Sequence, residues 1–215
     1  MPRNKYPEET VQKILDVSLK LFLEKGYEET TVLDIVANLD GLTRGAFYHH
    51  FKSKEEVLDA LGIKLFWENN PFEKVESEKG LNGLEKIKKA IKLSFQNEKQ
   101  QKVGIMSISL LKNPKILAEY IESNQQIVYP FFEKFFQEAI EDGSISNIKY
   151  PKALSSMFTF LTNIWLQPAI LPCSKSEFLE RFYFTKDLLE NIGAPIIDDE
   201  ILEYVKKVLE QIVTE

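Results

Sequence analysis

Between Thr43 and Lys54 the chain reads Thr-Arg-Gly-Ala-Phe-Tyr-His-His-Phe-Lys-Ser-Lys. Thr43, Arg44, Tyr48, His49, His50, Lys52 and Lys54 all carry hydrogen-bond donors, and no carboxylate interrupts them. Donors of this kind hold oxyanions, and a run of them suits a repeating polyanion such as a nucleic-acid backbone. Arg44 in particular can reach a guanine edge with two parallel N–H groups. The same residues exclude other chemistry. His49 and His50 are adjacent, so on a helix their side chains diverge by about 100°, and no third ligand lies nearby; a metal site is not expected. Neither convergent His and Cys residues nor a phosphate loop occurs, so no enzyme activity and no cofactor are expected.

Helices must position these groups. Apolar residues recur at helical spacing through most of the chain, and no alternating β-branched run bounded by turn signals occurs, so the expected fold class is all-α. A first helix is predicted from Glu8 to Lys25, with Val11, Ile14, Leu15, Ser18, Leu21 and Phe22 inward and Gly26 as its stop. Thr31 and Asp34 have capping-box spacing and open a short second helix carrying Val32, Ile35, Val36 and Leu39. Asp40-Gly41-Leu42 breaks it, and Thr43 caps a third helix, Arg44 to His50, that turns Leu42, Ala46 and Phe47 inward and leaves Thr43, Arg44, Gly45, Tyr48 and His49 outward. Gly45 costs a helix about 1 kcal/mol relative to alanine, which a purely structural helix would have little use for. Ser53 with Glu56 opens a fourth helix.

The charge balance is uneven. The net charge is −6 and the isoelectric point near 5.2, which taken alone opposes a nucleic-acid partner. The cations are nevertheless gathered where they would be needed: Arg3 and Lys5 in an N-terminal arm, and Arg44, Lys52 and Lys54 within residues 41 to 54, both free of acids. Lys86, Lys88, Lys89 and Lys92 read as the solvated face of an amphipathic helix. The lone Cys173 precludes an internal disulfide. A charged N-terminus without an apolar run, and no long enough apolar stretch elsewhere, point to a cytoplasmic protein with no membrane partner.

Residues 69 to 80 read as a connection, placing a boundary near Trp67. Beyond it helices are expected from Leu81 to Asn97, from Val103 to Lys112, and from Pro114 to Gly143 with a kink at Pro130. The helices at 150 to 166 and 176 to 191 carry apolar residues around more than one face, which predicts burial against a second copy of the chain. The polar run Ser123 to Gln126, including Gln125, fits either a solvent-facing turn or the polar wall of a pocket. Phe95, Met106, Tyr129 and Trp165 fit either such a pocket or plain core.

Gly26-Tyr27, Thr30-Thr31-Val32, Asp34-Ile35 and the block Leu42 to Val57 resemble, in order and nearly in register, the N-terminal domain of TetR-family regulators. The likeness covers residues 8 to about 66. It implies a helix-turn-helix DNA-binding domain over residues 1–66, joined through its fourth helix to a larger helical effector-binding and dimerisation domain over residues 67–215. It further implies that Thr31, Tyr48, His50 and Lys54 hold phosphates, with Thr43, Arg44, Gly45 and His49 nearest the bases. One departure is present: Asn38-Leu-Asp-Gly-Leu42 is one residue longer than the family's usual turn. The expected function is a repressor that binds a near-palindromic double-stranded DNA operator as a homodimer and is released by a small apolar or amphipathic effector. The alternative is a helical ligand-binding module, or an activator of the same fold, with weak or effector-dependent DNA binding.

Overall fold

A computed structural model describes residues 7–146 and 148–212. Every regular element among them is helical, and the chain forms two compact units: residues up to Glu68 together with Lys99–Ser107, and Asn69–Glu98 together with the chain from Ile108 onward.

In the first unit α1 (Pro7–Lys25) ends at Gly26, whose φ of +94° is a left-handed cap that a side chain would strain. α2 (Val32–Ala37) begins at Thr31, α3 (Arg44–His50) at Thr43, and α4 (Lys54–Glu68) follows directly; α7 (Glu98–Ile108) supplies the later segment of this unit. α1 packs on α2 and α4, and α2 on α3. The inward faces follow the helical period: Ile14, Leu15, Ser18 and Phe22 of α1, Ile35 and Leu39, Phe47 and Phe51, and Val57, Leu58, Leu61 and Leu65 of α4 are all buried. Phe22 meets Tyr27 edge-on at 5.1 Å, closing the end of α1.

The second unit is built on α5 (Pro71–Glu76), α6 (Gly83–Ser94), α8 (Pro114–Ser123), α9 (Tyr129–Glu141), α10 (Pro151–Phe160), α11 (Lys175–Asn191) and α12 (Asp199–Ile212). Its core is aromatic. Phe72 stacks flat on Phe131 at 4.8 Å and edge-on against Phe132 at 5.0 Å, while Phe158 meets Phe132 and Phe136 at 4.9 and 5.5 Å. α6 crosses α9 at Gly83, where an added Cβ would lie 2.1 Å from the Ala139 nitrogen, so only glycine permits the approach. Lys86 pairs with Glu138 at 2.6 Å, Lys89 with Glu78 at 2.5 Å, and Lys92 with Asp198 and Glu200 at 2.9 and 2.5 Å. Lys86, Lys89 and Lys92 of α6 are therefore ion-paired to their surroundings, and the open cleft of about 430 Å³ beside them is lined by Lys89, Lys92 and Glu200 together with Glu85, Lys88, Leu93 and Gln96.

Three expected helices take other forms. The segment expected over residues 103 to 112 begins earlier, as α7, and ends in a 3-10 turn at Ser109–Lys112. The long helix from Pro114 divides at a π-turn, Asn124–Val128, just before Pro130. Proline has no N–H and its ring clashes with the carbonyl four residues back, and the wider turn relieves both. The helix from Tyr150 likewise ends in a π-turn, Leu161–Trp165. Thr159 Oγ1 donates to Ser155 O, Thr162 Oγ1 to Phe158 O and Asn163 Nδ2 to Thr159 O, so side chains compete for the carbonyls of the preceding turn and widen the helix.

Candidate nucleic-acid interface

α3 is held by its ends and one face. Thr43 adopts an extended backbone and its Oγ1 accepts the Ala46 N–H at 3.2 Å, satisfying one of the first-turn donors. Before it, Leu42 N–H donates to Leu39 O at 3.0 Å and Gly41 takes φ +74°, a conformation that favours glycine and sets the turn between α2 and α3. Leu39 and Phe47 are buried on either side of this turn. The longer turn thus closes with both caps formed.

The opposite face is open. Thr43, Arg44, Gly45, Tyr48 and His49 are exposed, with Tyr48 retaining 43% of its surface. The Arg44 guanidinium lies 5.4 Å over the Tyr48 ring, and that ring stands edge-on to Phe47 at 5.4 Å, so a core aromatic steadies the outward pair. Gly45 has open space where a side chain would be: an added Cβ would meet only Thr43 Oγ1, at 3.7 Å. No acid stands in the first turn of α3, so its positive dipole end is unneutralised by the helix's own side chains. Lys52 is exposed, with its backbone N–H donated to Glu56 Oε2 at 2.7 Å. Half of the expected capping box is present, the Glu56 N–H donating to Ser53 Oγ at 3.4 Å, while the Glu56 carboxylate accepts from Lys52 rather than from the Ser53 backbone.

His49 and His50 form an edge-on pair at 5.0 Å. Partial burial and the neighbouring His49 charge lower the His50 pKa, favouring its neutral form. Among the described residues no group of three side chains could hold a metal ion.

Two residues carried over as phosphate ligands are engaged within the protein. Thr31 is exposed, but its N–H and its hydroxyl both donate to Asp34 Oδ2, at 2.8 and 2.7 Å, while Oγ1 accepts the Asp34 N–H. Asp34 also receives Lys25 at 2.9 Å, and the Thr31 and Lys25 hydrogen bonds hold its carboxyl far below the usual range. Lys54 differs from its expected role. Its ammonium donates to the carbonyls of Tyr27, Glu28 and Thr30 at 2.9, 3.2 and 3.2 Å and lies 4.3 Å over the Tyr27 ring. An ammonium has three N–H donors, and these three oxygens take them all. Lys54 is therefore a clamp between α4 and the turn after α1. Nothing in its spacing distinguishes a lysine aimed at a phosphate from one folded back onto carbonyls 24 to 27 residues away. Arg3 and Lys5 lie outside the described residues.

Of the five candidate pocket residues, four belong to the second unit. Met106 belongs to the first unit. In the second, Phe95 stacks flat on Tyr204 of α12 at 5.7 Å, Gln125 is exposed in the first π-turn, and Tyr129 is half-buried at the start of α9. Trp165 closes the second π-turn, with the Arg181 guanidinium 5.3 Å over its ring.

Residues 14–61 match the family described as bacterial regulatory proteins, tetR family. An uncharacterized HTH-type transcriptional regulator of Bacillus subtilis, YerO, is 32% identical over 127 residues, covering 58% of this chain and 41% of the relative. The HTH-type transcriptional regulator SrpR of Pseudomonas putida is 48% identical over 54 residues, 25% of each chain. The aligned stretches thus span less than half the length of these relatives. Two solved structures share the fold: Salmonella enterica GusR, at TM-score 0.59 and 19% identity, covering 88% of this chain and all of that one; and a regulator from Pectobacterium atrosepticum, at TM-score 0.60 and 18% identity, covering 98% and 93%.

Proposed function

This chain belongs to the TetR family of DNA-binding transcriptional regulators, and from that premise we propose that it is an effector-released repressor acting in the cytoplasm as a homodimer on a near-palindromic operator. The exposed, acid-free face of α3 carries this reading. Arg44, steadied over Tyr48, is aimed to take a base edge through two N–H groups; Thr43, Gly45 and His49 lie beside it at the groove floor. Tyr48, His50 and Lys52 serve phosphates, and Thr31 joins them only if its hydroxyl leaves Asp34. The residues through 66 form the DNA-binding domain and those from 67 onward the effector and dimerisation domain.

Dimerisation is supported by apolar surface on α10 and α11, where Phe160, Tyr183 and Phe184 are exposed. Pairing these helices with their two-fold mates buries that surface. It also sets two copies of α3 about 34 Å apart, one turn of B-form DNA. An effector that fits only a conformation of different spacing then releases the operator.

The test is fluorescence anisotropy on a duplex selected from a random pool by the protein itself. Arg44→Ala is expected to lose about tenfold to a hundredfold in affinity and to relax the selected sequence at one position per half-site. Selection that yields no preferred sequence, or an Arg44→Ala, Tyr48→Ala double variant that binds as the parent does, refutes the reading in favour of a ligand-binding module without operator recognition.

A further inference from the structure

Arg181, on α11, is a cation with no ion-pair contact among the described residues, although its charge helps to lower the pKa of Glu177 one turn back. It is one of three arginines in the chain, with Arg3 and Arg44. Glu177, one helical turn away, is committed elsewhere: it accepts the Ser174 N–H and hydroxyl, each at 2.8 Å, in the N-terminal capping box of α11. The guanidinium is half-buried. One of its N–H groups goes to the Leu171 carbonyl at 2.8 Å, and its carbon lies 5.3 Å over the Trp165 ring.

The indole beneath it also lacks a partner. Trp165 Nε1 is buried without an acceptor, and Gln167 Oε1, two residues on, is buried without a donor. Folded proteins seldom leave such groups unpaired, and a water, an ion or another bound molecule is among the explanations where they do. These groups share one knot of chain. Leu166 N–H closes the π-turn on Leu161 O at 2.9 Å, Ile170 and Leu171 N–H both donate to Gln167 O at 3.0 and 2.9 Å, and the Leu171 carbonyl receives Arg181. A cation, an unpaired N–H donor and an unpaired acceptor are thereby tied to a π-turn, an irregularity that is frequent at functional sites.

We propose that this corner binds the carboxylate of a small amphipathic organic acid. Arg181 supplies the charge and a planar fork of N–H donors, which matches a carboxylate better than an ammonium does. Trp165 Nε1–H donates to the same carboxylate, and Gln167 Oε1 accepts a hydroxyl, amide or water hydrogen alongside it. The apolar body of the ligand is matched by the composition of the knot, which offers Leu161, Ile164, Leu166, Ile170 and Leu171. The proposal gives the effector domain a ligand class; it rests on the effector reading for its consequence at DNA, and the binding step is independent of that reading.

Trp165 reports the binding directly. The chain has two tryptophans, so Trp67→Phe leaves Trp165 as the sole indole. In that variant, hexanoate, decanoate and phenylacetate are titrated below micellar concentration, with decanol and decylamine as neutral and cationic controls. At least one carboxylate is expected to change Trp165 emission saturably. Arg181→Gln is expected to weaken it about tenfold or more, with helix content and dimer mass unchanged. No saturable response to any of the three acids, equal binding by the matched alcohol or amine, or undiminished binding by Arg181→Gln overturns the site. Loss of the dimer in Arg181→Gln overturns it too, by making Arg181 an interface group. Anion binding through Arg181 that leaves operator affinity unchanged supports the site and defeats the effector reading. Operator release by a ligand indifferent to Arg181→Gln supports that reading and defeats the site as its trigger.

Discussion

The Lys54 ammonium lies 2.9 Å from the carbonyl oxygen of Tyr27 and 4.3 Å above the ring of the same residue. Tyr27 in turn donates its hydroxyl to Glu55 Oε1 at 3.1 Å, so the first turn of α4 grips the turn after α1 through both the face and the hydroxyl of one aromatic ring. Burial, reinforced by Glu55, raises the Tyr27 pKa well above its usual value, so the hydroxyl remains a donor. Charge-assisted bonds of this kind contribute about 1.5 to 3 kcal/mol. Lys54→Met is therefore expected to lower the stability of the first unit by about that amount in urea unfolding, while leaving the slope of log affinity against log salt unchanged. Lys52→Met is expected to behave oppositely, with stability unchanged and a slope smaller by about 1.8, one phosphate contact being lost from each of the two copies. A reduced slope for Lys54→Met would return Lys54 to the phosphate backbone.

Gly45 separates the demands of the fold from those of the partner. An added Cβ meets nothing closer than 3.7 Å within the protein, and alanine is the better helix former by about 1 kcal/mol. Gly45→Ala should consequently raise the unfolding midpoint of the free protein. If α3 lies against a duplex at this position, the same methyl group intrudes where the backbone approaches, and operator affinity should fall about tenfold or more. Calorimetric unfolding and anisotropy on one preparation check both signs. Raised stability with undiminished affinity would place the duplex elsewhere.

Such residues also mark how far the sequence could be read. Thr31 with Asp34, Thr43 before Arg44, and Gly26 and Gly41 at the turns carry their structural meaning within four residues, and α1 to α4 stand where those local signals put them. The outward character of Arg44, Gly45 and Tyr48 follows from the helical period once Phe47 is assigned to the core. What was illegible depended on distant partners. The donors of Lys54 go to carbonyls 24 to 27 residues away, Lys134 pairs with Glu76 across 58, and Arg181 reaches back 10 to Leu171. Apolar periodicity also continues smoothly through residues 114 to 143 and 150 to 166, because a π-turn inserts one residue into the backbone ladder without changing which residue types are used. Trp165 could be named as core or pocket from its type, but its unpaired Nε1 became visible only with the fold around it.

Ser18 tests packing in the first unit. It lies on the buried face of α1 with no exposed surface, and its hydroxyl has no hydrogen-bond partner. A buried hydroxyl without a partner costs about 1 to 3 kcal/mol, and alanine also has the higher helix propensity. Ser18→Ala is expected to stabilise the protein by about 1 kcal/mol with DNA affinity unaltered. Destabilisation would mean that the hydroxyl is bonded, for instance to a buried water.

His50 links both stability and binding to pH. Its pKa lies below 6.5 in the folded chain, through burial and the neighbouring His49 charge, whereas the unfolded chain titrates near 6.5. The unfolded state thus takes up the proton first. The His50 contribution to stability is full above about pH 6.5 and declines as pH falls toward the lower folded value, beneath which it declines no further. A phosphate beside His50 has the reverse effect, because it favours the imidazolium. Operator affinity should therefore rise between pH 7.5 and 6 at constant ionic strength while free-protein stability falls, and His50→Gln should flatten both profiles. A binding profile unchanged by His50→Gln would remove His50 from the phosphate contacts.

Phe160 and Phe184 keep 54% and 58% of their surfaces exposed, on α10 and α11. Burying a fully exposed phenylalanine side chain is worth about 1.5 to 3 kcal/mol, so the roughly half of that surface left on each of two residues in each of two copies still supplies a driving force for association. Phe184→Glu replaces that gain with a carboxylate that must be desolvated, and it does so twice in a symmetric interface. The parent is expected to sediment at twice 24.9 kDa in the micromolar range and the variant at 24.9 kDa. The consequence at DNA follows from symmetry. A single copy engages one half-site and forfeits the second set of phosphate contacts, so both the affinity and the salt slope of Phe184→Glu should fall, the slope by about half. A variant that remains dimeric would move the two-fold axis away from α11, and a monomeric variant with the parent's full salt slope would show that one copy of α3 suffices.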